Sequence, residues 1–220
     1  MHKETLCRYS PYFKAALEGN FKEARKRVIE MPEDNVEVFQ VFRTWLYTGG
    51  FQLVEDSCNH TWKTLSWEIL VGLYIFGECR LIRELLNPVM DLLIKKPEAP
   101  IEVPVHLAPY IYENTCDISR LRQWIRNATA YAAAVTKLDK NPAKFFIGFP
   151  LEFCRDLSEA LKYVGNHGCG NGLISISNKC KYHVLDRDGH CHRSKVVGDC
   201  HRWTSKEQLS LNQPDGGPIG

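Results

Sequence analysis

Four of the nine cysteines, Cys169, Cys180, Cys191 and Cys200, fall in one stretch of the C-terminal tail, where histidines also gather. Cys180-Lys181-Tyr182-His183 has the C-x-x-H spacing with which two side chains reach one tetrahedral ion. Cys191, flanked by His190 and His192, comes next across Asp186 to Gly189, and Asp188-Gly189 suits a tight turn that would join the two halves. Cys180, His183 and Cys191 with one of His190, His192, Cys200 or His201 would supply four ligands, the preferred set being Cys180, His183, His190 and Cys191. A site closed by four side chains holds a structural zinc ion and leaves no position for a substrate. The competing reading is a solvated tail in which these residues fall together by coincidence and Tyr182, Val184 and Trp203 pack on the rest of the chain. It draws support from the spacing, because structural zinc sites usually show two regularly spaced ligand pairs.

The other chemistries fare worse. G-x-S-x-G, G-x-x-x-x-G-K-[ST] and H-E-x-x-H do not occur, and Gly168–Gly172 is glycine-rich without a lysine or a strand-to-helix context. No cysteine and histidine are ordered as a nucleophile and base, so the chain is not expected to be an enzyme and no cofactor is implied beyond zinc. Between Asn178 and Trp203, six Lys/Arg face three Asp, with Tyr182 and Trp203 available to stack on bases. These cations are dispersed and the whole chain carries only +2, so the electrostatic footprint of a nucleic-acid binder is missing. A zinc-binding or nucleic-acid-associated regulatory role of the tail is the alternative function.

The elements that would position such residues read as mainly helical. With 220 residues, 44% hydrophobic and 25% charged, the chain can bury a core without disulfide staples. Its start has no apolar signal and no segment approaches the roughly 18 apolar residues of a membrane helix, so the expectation is an intracellular protein of nucleus or cytoplasm with reduced thiols. Cys7, Cys58, Cys79, Cys116 and Cys154 then read as small hydrophobes of the helical body. Leu6, Tyr9, Phe13 and Leu17 have helical spacing, divided by Ser10-Pro11 into two short helices. Residues 28–31 before Pro32 predict a short strand, as do residues 173–176. Asp34 is placed to cap a largely buried helix through Trp45 and Leu46 that Gly49 stops, and Ser66 to cap another through Ile75. The apolar pattern from Leu81 to Leu93 contains Pro88, which predicts a kink. Four prolines from Pro97 to Pro109 predict an extended connection. Ile118, Leu121, Trp124, Ile125 and Ala128 form a further stripe, and Pro150 opens a helix whose packed part ends near Lys162.

Several of these segments resemble one family in order. His2-Lys3 with Leu6 and Ser10-Pro11-Tyr12-Phe13, then Phe39 with Trp45-Leu46-Tyr47-Thr48-Gly49, then "LVGLYIFGECRLIRELLNPVMDLLI" are similar to successive parts of a BTB/POZ domain of the variety common in filamentous fungi. The helical region containing "YENTCDISRLRQWI" resembles the segment C-terminal to the domain in such proteins, and the "C-x-Y-H" tail resembles theirs too. The resemblance implies an α+β, predominantly helical fold: a partial BTB/POZ domain over 1–96, a helical region over 97–165 and an irregular Cys/His-rich tail over 166–220. Met1 stands directly before the His-Lys helix, so the domain is expected to lack its first strands, and with them much of the family's homodimer contact. The implied function is protein–protein interaction, in many relatives as a substrate adaptor of cullin-type ubiquitin ligases. Tyr47, Phe51 and Leu53 are the candidate partner face, with burial of Phe51 and Leu53 in the core as the alternative.

Overall fold

The structure, a computed structural model, describes residues 1–51, 64–96, 102–136, 148–167 and 180–185. Among these residues all regular structure is helical. The elements are α1 Lys3–Tyr9, α2 Pro11–Glu18, α3 Lys22–Lys26, α4 Val36–Thr48, α5 Trp67–Cys79, α6 Arg83–Lys95, a 3-10 turn Val105–Leu107, α7 Ala108–Asn114, α8 Arg120–Thr136 and α9 Leu151–His167.

Helix α5 is the axis of the molecule. Every residue from Ile69 to Gly77 is buried, because neighbours surround it and no polar stripe is needed. Helix α4 crosses it at Gly72, where even a Cβ would lie 2.9 Å from Val38 Cγ2. Phe42 packs on Phe76 with ring centroids 4.9 Å apart, and Phe39, Phe13 and Trp45 extend the aromatic layer. Helices α6, α7, α8 and α9 continue the same apolar core, a single cluster that includes both Leu6 and Tyr182. Trp124 of α8, tilted against Trp67 at 6.0 Å, joins the two halves of that core.

Local signals set the helix ends. Ser10 caps α2 by accepting from the Phe13 N–H at 3.1 Å, with Pro11 in the first turn where its missing donor costs nothing. Ser66 caps α5 through the Ile69 N–H. Gly49 ends α4 at φ 72, a conformation that L side chains avoid. The cap of α4, however, is Asn35 and not Asp34. Asn35 Oδ1 accepts from the Glu37 and Val38 N–H groups, while Asp34 is drawn into an ion pair with Arg80.

Other expectations are corrected. Residues 28–31 form no strand, since no described chain runs beside them to complete a ladder; residues 173–176 lie outside the described residues. Helix α6 continues through Pro88, so the proline does not end or restart it, which leaves room for the expected bend. It starts at Arg83, because Leu81 adopts φ 56 and is 56% exposed. Ile118 is 77% exposed and precedes α8, so it does not belong to the buried stripe. The prolines before α7 do not hold the chain extended throughout: Pro109 sits in the first turn of α7, where proline is compatible with helix. Helix α9 stays packed beyond Lys162, with Val164 buried. Cys79 and Cys116 are exposed and so are not core residues, and Cys7 and Cys154 are half-buried; Cys58 lies outside the described residues.

Candidate functional site

The α4 end carries the partner-face residues. Tyr47 lies in its last turn with 47% of its surface exposed. Its hydroxyl accepts from the His2 backbone N–H at 2.9 Å, faces His2 Nδ1 at 3.1 Å, and the two rings meet edge to face. His2 therefore contacts the exposed Tyr47 side chain through both its backbone and its ring. Phe51 turns inward instead: it is half-buried and stacks on Trp45 at 6.4 Å. That agrees with the alternative that Phe51 belongs to the core. Leu53 lies outside the described residues.

Behind this end, Ser10 and Arg80 tie α2 to the end of α5. The Ser10 hydroxyl, fully buried, donates to the Arg80 carbonyl at 2.6 Å while its oxygen caps α2. The Arg80 guanidinium lies 4.2 Å from the Phe76 ring centroid and pairs with Asp34. One buried hydroxyl thus positions two helices, which makes sense of a serine directly before Pro11-Tyr12-Phe13, and α4 ends in Trp45-Leu46-Tyr47-Thr48-Gly49 over the same aromatic layer. Residues 1–66 match the family model of the BTB/POZ domain. A BTB/POZ domain is a protein–protein interaction module. No curated protein matches the chain. Among the described residues, no helix is long and apolar enough to cross a membrane.

The BTB/POZ match ends before α5, and the Cys/His set lies far beyond it. Cys180 and His183 are described; His190 and Cys191, with the alternatives His192, Cys200 and His201, lie outside the described residues. Residues 180–185 return to the helical body. Tyr182 is buried and its hydroxyl accepts from Asn127 Nδ2 at 3.1 Å. His183 is fully buried with Nε2 3.1 Å from Asp91 Oδ1. Val184 exchanges two hydrogen bonds with the Asn87 amide: its N–H donates to Oδ1 at 2.6 Å, and its carbonyl accepts from Nδ2 at 2.8 Å. This is the packing of Tyr182 and Val184 on the body that the competing reading of the tail expects; Trp203 lies outside the described residues. With Nε2 turned to Asp91, a metal ion could reach His183 only through Nδ1. Among the described residues no three His, Cys, Asp or Glu side chains converge as a metal site.

Burial governs the titration of this body. Desolvation pushes the Tyr182 hydroxyl up to about 12, against the hydrogen bond from Asn127 and the nearby Arg126. Burial, reinforced by Arg126 and Arg120, holds the Lys181 ammonium below its ordinary value. Burial likewise raises the Glu78 carboxyl, with the Ser119 hydroxyl at 3.0 Å and Arg122 acting the other way. A folded state that binds this proton more tightly than the unfolded chain gains stability from Glu78 below the ordinary value of 4.5 and loses it as pH rises through the folded value. Glu78→Gln keeps the Ser119 contact without the charge. It is expected to melt above wild type at neutral pH in scanning calorimetry, with the gap closing once the pH falls below 4.5. An equal gap at both pH values would contradict the assignment.

Proposed function

We propose that the chain is a protein-interaction module that serves as a substrate adaptor for a cullin-type ubiquitin ligase, docking through the end of α4. The observation that carries this reading is Tyr47: an exposed aromatic residue hydrogen-bonded to His2, on a helix whose other face packs in an aromatic core. Tyrosines of this kind supply much of the energy of protein interfaces, since little conformational freedom is lost when they are covered. The match of residues 1–66 to the BTB/POZ domain supports the class of function.

Binding of the full chain to a purified cullin, measured by biolayer interferometry, tests the adaptor role. Tyr47→Ala is expected to weaken the complex by about tenfold or more, as for an interface anchor, while the loss of its exposed contacts with His2 lowers the melting temperature little. Phe51→Ala is the wrong probe, because it also removes the stacking on Trp45. Absence of binding by the wild-type chain would end the adaptor reading.

A further inference from the structure

The turn between α7 and α8 is fastened to the end of α5 at two points. Cys79 Sγ lies 4.0 Å from the Asn114 carbonyl oxygen, and the Ser119 hydroxyl donates to Glu78 Oε2 at 3.0 Å. Asn114 and Ser119 bracket Cys116, and the Ser119 N–H donates to the Cys116 carbonyl at 2.9 Å, folding the turn back on itself. A turn that touches both Glu78 and Cys79 carries Cys116 across the end of the helix. Both cysteines are free thiols and both are exposed. They are also near enough for charge on one to be felt by the other. Burial chiefly holds the Cys79 thiol above its ordinary value; Arg80 opposes this, and Glu78, Asp34 and Cys116 add to it.

We propose that Cys79 and Cys116 are a paired oxidation site, joined as a disulfide when the chain meets a hydroperoxide, so that the α7–α8 turn becomes bonded to α5. Cys79 is the last residue of α5 and Cys116 lies between α7 and α8, so neither helix has to break for the sulfurs to meet the narrow geometry of a disulfide. The exposed Cys116 thiolate attacks one peroxide oxygen; the O–O bond breaks, hydroxide leaves, and the sulfur becomes a sulfenic acid. The Cys79 sulfur then attacks the Cys116 sulfur, the S–O bond breaks, and the departing hydroxide leaves as water with the thiol proton. The two sulfurs together give two electrons to the peroxide, and two S–H bonds and one O–O bond are replaced by one S–S bond and two molecules of water. Cys79 suits the second step, because burial and the Glu78 and Asp34 carboxylates retain its proton until a reactive sulfur stands beside it. The inference goes beyond the cullin reading and does not depend on it, since it concerns another surface and another chemistry.

The test treats the full chain with hydrogen peroxide, blocks the remaining thiols with N-ethylmaleimide and identifies linked tryptic peptides by mass spectrometry. Tryptic peptides 64–80 and 96–120 hold one cysteine each, Cys79 and Cys116, so their linkage is unambiguous. A species two hydrogens lighter than their sum should exceed every other Cys116 linkage by about tenfold or more, since the fold supplies the proximity. Dithiothreitol should release it, diluting the chain should leave its yield unchanged, and denaturing guanidinium should abolish the preference. Cys79→Ser should leave Cys116 as a sulfenic acid that dimedone traps. Cys116→Ser should slow oxidation of Cys79 by about tenfold or more, because the less ionised thiol then has to meet the peroxide itself. Cys116 linked chiefly to another cysteine, a yield that falls on dilution, or a preference that survives denaturation would each overturn the proposal. So would Cys79 and Cys116 both staying free while peroxide oxidises other cysteines, or Cys79 oxidising at the wild-type rate in Cys116→Ser.

Discussion

Arg122→Met is expected to lower folding stability by about 3–5 kcal/mol, the cost of leaving the Tyr112 and Thr115 acceptors without a donor at about 1–3 kcal/mol for each buried group. The ion pair with Asp117, whose side chain is exposed, adds little. The Arg122 side chain leaves α8 in its first turn and closes the end of α7. Its NH2 group donates to the Tyr112 carbonyl at 2.7 Å and to the Thr115 carbonyl, Nε donates to Thr115 Oγ1 at 3.0 Å, and NH1 reaches Asp117 Oδ1 at 2.7 Å. The guanidinium also lies over the Tyr112 ring at 4.5 Å. The last carbonyls of a helix have no intrahelical donor, and here one planar cation supplies several. Methionine retains much of the volume and none of the donors, leaving the Tyr112 carbonyl without its partner in a buried setting. For a chain of this size the melting temperature should fall by roughly 6–20 °C, read by circular dichroism. Arg122→Lys should recover only part of it, because an ammonium cannot serve all four acceptors in the geometry of the fork. A loss of under about 1 kcal/mol for Arg122→Met would show that water replaces the clamp.

The same clamp shows where sequence reasoning stops. Tyr112 to Ile125 reads in the sequence as a family-like stretch leading into a stripe of Leu121, Trp124 and Ile125, and those three residues are buried. No local pattern hints that Arg122 turns back by ten residues, since that depends on the angle between α7 and α8. Ser10, Ser66 and Gly49 are legible because a cap or a left-handed stop is decided within one turn of chain. Asp34 and Asn35 are equally good caps locally. The choice falls to Arg80, 46 residues from Asp34, which pairs with it and leaves Asn35 the helix end. Residues 28–31 carry a strand pattern that the alternating exposure respects, but a ladder is a property of two segments and only one is described. Of the candidate partner face, Tyr47 is legible as exposed, while the inward turn of Phe51 requires knowing that Trp45 stands beside it. His2 as the anchor of Tyr47 escapes a sequence reading altogether: no local spacing links residues 45 apart.

Asn87→Ala should release the tail from the body. Asn87 lies buried on α6 and imitates one residue of a neighbouring strand, its amide matching both the donor and the acceptor of Val184. Asp91, one turn along the same helix, faces His183, and Asn127 of α8 holds the Tyr182 hydroxyl. Three polar side chains from two helices thus grip three consecutive residues in a setting where an unmatched peptide group is costly. Alanine removes two hydrogen bonds and strands the Val184 N–H and carbonyl, which together cost about 2–4 kcal/mol. The folded body keeps its own apolar contacts, so the cheaper response is for residues 180–185 to detach and hydrate. Detachment should then become roughly 30- to 1,000-fold more frequent, as that free energy requires. Trypsin cleavage after Lys181 in native buffer measures this, because the half-buried lysine must leave the surface before it is cut. Faster cleavage with a nearly unchanged urea midpoint would identify a local clasp, and a midpoint that falls in step would make the tail part of the cooperative core. Cleavage at the wild-type rate would show that Tyr182 and His183 hold the segment without Asn87. Asp91→Asn separates the contributions, since it keeps a side chain that can face His183 while removing the charge. It should speed cleavage less than Asn87→Ala does, because the two backbone bonds to Val184 persist.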